Sequence, residues 1–185
     1  MMTVLDRRLI PSIAAMAAIV VASNILVQYP FEPFGLAEVL TWGAFTYPFA
    51  FLVTDLTNRW FGPARTRLVV YVGFALAVLL SLALADPRIA VASGTAFLAA
   101  QLLDVTLFNR LRAGSWWRAP LVSSSVGSAV DTALFFSIAF AGTGLPWDTW
   151  ALGDFAVKMA IAVLSLLPYA QLMNRVKPYG AARAT

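Results

Sequence analysis

The chain of 185 residues contains no cysteine, so neither a disulfide nor a thiolate metal site is open to it. It contains no histidine either, which removes the commonest metal ligand and the usual proton shuttle near neutral pH. Charge is scarce: Asp, Glu, Lys and Arg make up 12% of residues, about half the share of an ordinary soluble domain. No GxxxxGKS/T phosphate loop occurs, so any drive from ATP must come from another protein. No GxSxG nucleophile motif occurs, and the aspartates sit in no protease motif. These absences argue against an enzyme and call for neither metal nor cofactor. What is left for ionic chemistry is a few carboxylates and one lysine placed among apolar residues.

What is abundant is apolar sequence. Hydrophobic residues make up 61% of the chain and the mean hydropathy is +0.79. Six uncharged or nearly uncharged runs, at about 9–28, 37–55, 68–85, 89–108, 121–140 and 155–174, approach the ~20 residues that a bilayer-crossing helix needs. The first is too long for a signal-peptide core and has no convincing cleavage site after it, so it reads as a retained helix. The class that follows is all-α: a polytopic, six-transmembrane-helix bundle forming one integral membrane domain over 1–185.

The second run is the unusual one. It is free of charge from Val39 to Thr54, then meets Asp55, Asn58 and Arg59. Pro48 stands in its middle, without an amide hydrogen and opposed to the carbonyl of Ala44. A proline-broken second helix is expected there. Broken backbone at bilayer depth faces protein or a cavity, because lipid cannot satisfy the freed polar groups. A kink serving only helix packing is the plainer alternative.

The cations sort by side. Arg7, Arg8, Arg59, Arg65, Arg67, Arg110, Arg112, Arg118, Arg175, Lys177 and Arg183 fall at one end of the six spans, and Arg88 alone falls at the other. This bias puts both termini in the cytoplasm. The net charge of +4 is therefore a matter of topology, and no nucleic-acid partner is expected. Asn58–Arg59, Asn109–Arg110 and Asn174–Arg175 recur at the cytoplasmic ends of the even-numbered spans and read as helix ends.

The ionisable groups at depth are the candidate site. Asp131 lies near the middle of the fifth span and shares a face with Ser123 and Gly127, small residues that allow close approach. Lys158, read as one turn into the sixth span after a loop from 142 to 154, pairs with Asp131 or with Asp154 four residues before it. That pair either holds helices together or sits at a ligand or proton site. Phe97, Gln101, Asp104 and Phe108 share a face of the fourth span by their spacing. Asp104 either joins Gln101 in a binding patch or pairs with Arg110 or Arg59. Asp55 reads as an ordinary helix-end acid near the headgroups. Glu38 is expected to open the broken helix, with Trp42 a turn further in as a belt residue. Asn24 either bridges two helices or contacts a ligand.

Four motifs taken together, WGAFTYPFAFLVTDLTNRWFG at 42–62, AQLLDVTLFNRLR at 100–112, WWRAP at 116–120 and SVGSAVDTALFFSIAF at 125–140, resemble the queuosine precursor transporter family of bacterial inner-membrane proteins. The resemblance implies six helices and uptake of 7-deazaguanines such as preQ0 and preQ1 for tRNA queuosine modification. On that basis, substrate contacts are expected from Asp131, Asp104, Gln101, Trp42, Phe45, Asn24 and Lys158. A carboxylate accepts the ring N–H and exocyclic amine of a deazaguanine side by side, and aromatic rings stack on its flat face. A second carboxylate suits the aminomethyl cation of preQ1. The expected partners are this small molecule and the lipid bilayer, with a homodimer left open. The alternative role is the substrate-binding membrane subunit of an ATP-driven, energy-coupling-factor type complex.

Overall fold

The computed structural model describes residues 7–84 and 86–180. The first part of the basic leader, Ala85 at the expected end of the third span, and Arg183 lie outside the described residues. Helix dominates throughout, and the only pairing of extended backbone among the described residues is one isolated bridge. Among the described residues eight α-helices follow in order: α1 (Ile10–Leu26), α2 (Gly43–Thr46), α3 (Phe49–Phe61), α4 (Pro63–Leu84), α5 (Pro87–Leu111), α6 (Arg118–Phe140), α7 (Trp147–Leu164) and α8 (Leu166–Leu172).

Among the described residues, five segments are long and apolar enough to cross a membrane: Arg7–Leu26, Pro63–Ala83, Pro87–Leu111, Arg118–Phe140 and Trp147–Leu172. The short helices α2 and α3 supply the sixth crossing in two pieces. Aliphatic side chains such as Leu82 and Leu152 stand 70% and 72% exposed on the outer faces, as lipid-facing residues do. The chain is a multi-pass membrane protein.

The break at Pro48 lies in the hydrogen-bond ladder rather than in the dihedrals. Tyr47 and Pro48 keep helical φ and ψ, but the next bonds tighten to three-residue spacing, Ala50 N–H to the Tyr47 carbonyl at 2.9 Å and Phe51 N–H to the Pro48 carbonyl at 3.1 Å. The expected helix start near residue 37 is not what forms. Phe31 N–H bonds the Leu40 carbonyl at 2.9 Å and Trp42 N–H bonds the Tyr29 carbonyl at 3.0 Å, closing a short antiparallel hairpin about the Pro30–Thr41 bridge. Its four bonding groups belong to the residues flanking Pro30 and Thr41, so the missing N–H of Pro30 costs nothing there. Glu38 consequently sits in an exposed turn and opens no helix.

Several helices outrun their apolar cores. α3 continues to Phe61 and stops at Gly62, whose φ of 83° suits glycine and whose Cα lies against the Tyr179 ring, where an added Cβ would come within 2.8 Å. Asp55 is thereby mid-helix and 2% exposed, not a headgroup acid. α7 begins at Trp147, so Asp154 belongs to a helix rather than to a loop, and Lys158 lies about three turns in. Pro168 cannot donate to the Leu164 carbonyl, which accounts for the interruption between α7 and α8 at Ser165.

Packing centres on α5 against α6, with α1 and α4 on one flank and α7 on the other. The small-residue face of α6 permits this: a Cβ on Gly127 would come within 2.7 Å of the Phe51 ring and 3.4 Å of the Ala100 carbonyl. At one end of the bundle Asn58 is fully buried, donating to the Val105 carbonyl at 2.8 Å and accepting from Arg112 Nη2 at 2.5 Å. Beside it Arg59 donates to the Met173 carbonyl at 3.1 Å. Asn58 thus ties α3 to α5, a larger role than ending a helix. At the other end Arg88 donates to the Ile138 and Ala141 carbonyls at 2.8 and 2.6 Å, satisfying the C-terminus of α6.

Candidate functional site

A cavity of about 560 Å³ opens between α1, the hairpin with α2, and helices α4 to α7. That volume falls within the roughly 300–1,000 Å³ of small-molecule sites. Its polar wall has three contributors. α6 presents Asp131, with Thr132 behind it, α7 presents Asp154 and Lys158 one turn apart, and the broken crossing presents Tyr47 beside the proline.

These side chains are locked together. Lys158 Nζ donates to Asp131 Oδ2 at 2.7 Å, to Thr132 Oγ1 at 3.1 Å, and to Asp154 Oδ2. Thr132 Oγ1 donates in turn to Asp154 Oδ2 at 2.8 Å, and Tyr47 Oη donates to Asp131 Oδ1 at 2.9 Å. The Tyr47 ring also lies 5.5 Å from the ammonium. Both alternatives read from the sequence for Lys158 are realised at once: it bridges Asp131 and Asp154. Two carboxylates facing one ammonium leave a formal charge of minus one beside the cavity. Asp154, with 15% of its side chain exposed, is the more open of the two, against 7% for Asp131. At low dielectric such a surplus favours a cationic or multi-donor ligand over a neutral acceptor.

Aromatic and amide groups complete the cavity. Phe97, Phe135, Phe136, Phe140 and Trp150 supply ring surface. Asn24 lines it and also accepts from Ser81 Oγ at 3.4 Å, so it bridges α1 to α4 and faces the cavity together. Ser81 gives α4, otherwise an apolar helix at this level, a polar side chain on the cavity. Glu38 and Asp86 are exposed residues on its lining.

Of the seven residues singled out from the sequence, Asp131, Lys158 and Asn24 line this cavity and the other four do not. Trp42 and Phe45 instead pack on Phe31 of the hairpin, with ring centroids 4.8 and 4.6 Å away. Gln101 and Asp104 are fully buried further along α5, beyond Phe97. Asp104 accepts from Thr54 Oγ1 at 3.1 Å rather than from Arg110, which is exposed, or Arg59, which is held by Met173. The residues that sequence reasoning passed over are Tyr47, Thr132 and, as a cavity wall, Asp154. A hydroxyl beside a helix-breaking proline in an uncharged run was the available signal for Tyr47.

Comparison with known proteins places this geometry in a family. The family model described as "putative vitamin uptake transporter" matches residues 41–85 and 81–173. The chain is 37% identical over 183 residues to the "Queuosine precursor transporter" of Escherichia coli (strain K12), covering 84% of this chain and 82% of that protein. It is 37% identical over 193 residues to the "Probable queuosine precursor transporter" of Haemophilus influenzae (strain ATCC 51907 / DSM 11121 / KW20 / Rd), with the same two coverages. A 28% match over 189 residues, 85% of this chain and 81% of the relative, joins it to the "Probable queuosine precursor transporter" of Bacillus subtilis (strain 168). No solved structure matches the chain. A polar cavity at the break of a six-crossing bundle, shared sequence over most of the length and the matching family model lead to one conclusion: the chain belongs to the queuosine precursor transporter family.

Proposed function

We propose that this chain imports 7-deazaguanine precursors of queuosine, preQ0 and preQ1, across the bacterial inner membrane, with both termini in the cytoplasm. The observation that carries the reading is the Asp131–Lys158–Asp154 network on the wall of the cavity, with its surplus negative charge. A buried carboxylate accepts the paired ring N–H and amine of a deazaguanine, and it discriminates against adenine-like edges because a mismatch leaves buried polar groups unpaired, at about 1–3 kcal/mol. Phe135 and Phe97 offer stacking surface for the flat ring, and Asn24 offers an amide donor for its carbonyl. The free charge suits the aminomethyl cation of preQ1. In this reading Asp131 and Asp154 hold the ligand, while Trp42 and Phe45 stiffen the hairpin beside the cavity. The charge bias of the sequence supports the orientation.

Uptake of labelled preQ0 and preQ1 into liposomes holding only the purified chain tests this. Saturable uptake of both, competed by excess unlabelled deazaguanine and lost in Asp131→Asn, is expected. Uptake that appears only when ATP-hydrolysing partners are added would reassign the chain as a binding subunit. Normal uptake by a well-folded Asp131→Asn would remove the carboxylate from the mechanism.

A further inference from the structure

A second polar cluster lies deeper in the bundle, apart from the cavity. Asp55 on α3 and Asp104 on α5 are 2% and 0% exposed, and Thr54, the residue before Asp55, bonds Asp104 across the two helices at 3.1 Å. The hydrogen bonds they accept among the described residues come from neutral hydroxyls. Ser123 and Ser124 donate to Asp55 at 3.3 and 3.1 Å, and Thr54 donates to Asp104 at 3.1 Å. Asp104 Oδ1 has no donor, and both amide atoms of fully buried Gln101, one turn before it, lack partners. Two carboxylates held in a dry interior by neutral groups are costly unless something positive joins them.

A route to that position is also built. A chamber of about 10 Å³ lies between α3, α6 and the α7–α8 break, with Asp55 and Lys158 both on its wall. Ser128, 1% exposed, turns an unpartnered hydroxyl onto the same chamber, and so does the buried Oγ of Ser165. A space of about 10–15 Å³ with two to four polar partners is what one water needs. Lys158 borders both this chamber and the large cavity, its ammonium held by Asp131, Thr132 and Asp154, so this one side chain stands between them. Besides Asp104 and Lys158, the titratable group beside Asp55 is Tyr169 on the chamber wall, and Arg59 and Arg112 lie near Tyr169 towards the end of the bundle.

We propose that Asp55 and Asp104 together bind one proton, delivered from the cavity through Lys158 and the one-water chamber, and that this proton drives import. A hydronium ion in the cavity protonates Asp154 and leaves water; the Lys158 ammonium, turned from Asp154 towards the chamber, gives one proton through its water to the Asp55 carboxylate, and the resulting amine takes the proton held by Asp154. The Asp55 carboxyl O–H then shares its proton with Asp104, and the proton leaves to water on the far side when the bundle reopens. No other reactant is consumed. The inference rests on the import reading above and adds its coupling.

The test uses the purified chain in liposomes loaded with a pH-sensitive dye and the uncharged precursor preQ0. Two readouts are taken: exchange of labelled against unlabelled preQ0 at equal pH, and accumulation when the outside is about one pH unit more acid. One proton per molecule allows up to about tenfold accumulation, with acidification of the lumen. Asp55→Asn is expected to keep exchange while losing both accumulation and acidification. Ser165→Val, which fills the chamber and leaves every carboxylate in place, is expected to slow both. Wild-type protein that exchanges preQ0 without moving lumen pH, or that responds to a sodium gradient instead, overturns the coupling and leaves the import reading standing. Acidification by Asp55→Asn at the wild-type rate also overturns it. Absence of exchange by the wild type removes both readings together.

Discussion

Replacing Lys158 by methionine keeps the length and apolar stem of the side chain and removes its ammonium. In the structure that ammonium donates to Asp131, Thr132 and Asp154, and the residue is 4% exposed. Truncating one partner of a buried ion pair costs about 3–5 kcal/mol in soluble proteins, because the other charge is stranded. Two features lower the figure here. Individual polar contacts in bilayer proteins are worth only about 0.6–1.7 kcal/mol, and the cavity beside Asp154 lets water reach one of the two stranded carboxylates. The expected loss is about 3 kcal/mol, a factor of roughly 150 in the folding equilibrium. Adding Asp131→Asn to Lys158→Met removes the more buried of the stranded charges and should restore at least half of the loss, a coupling that additivity would not give. Unfolding in mixed micelles by titration with a denaturing detergent, followed by tryptophan fluorescence, measures all four corners of the cycle. Lys158→Met within about 0.5 kcal/mol of wild type, or a double variant that simply sums two losses, would refute the argument that this lysine neutralises the site.

Three further outcomes are expected. Tyr47→Phe keeps the ring and removes the hydroxyl that donates to Asp131, so preQ0 affinity in a binding titration should fall by about three- to tenfold, the equivalent of one hydrogen bond of about 0.5–1.5 kcal/mol. Gly127→Val sets a branched side chain where a Cβ alone already meets Phe51 at 2.7 Å, and detergent-solubilised protein should unfold more easily by about 1–3 kcal/mol. Reporter fusions at Arg65, Gly114 and the C-terminus should read cytoplasmic and those at Phe34 and Asp148 external; one reversal breaks the proposed orientation.

Class and crossing number were legible in the sequence because hydropathy and charge scarcity act locally: a run of about twenty apolar residues has few other places to go. Pro48 marked the interrupted crossing, since the loss of its N–H is a property of the residue itself. Asp131 and Lys158 stood out for the same kind of reason, as charges at depth that need partners. Helix ends were less legible. α3 runs on through Thr57 and Asn58, and α7 takes in Asp154, because neighbouring helices bury or bond those polar groups, which hydropathy counts only as interruptions. The hairpin at 29–42 depends on pairing between two stretches that carry no strand pattern of their own.

The division of the polar residues into two groups was decided by tertiary structure alone. Spacing on α5 puts Phe97, Gln101 and Asp104 on one face, but a face about two turns long meets different neighbours along its length. At Phe97 it meets the cavity, and a turn or two further it meets Thr54 of α3, next to the buried Asp55. Periodicity fixes the direction in which a side chain leaves its helix; what it meets there depends on how the other helices cross.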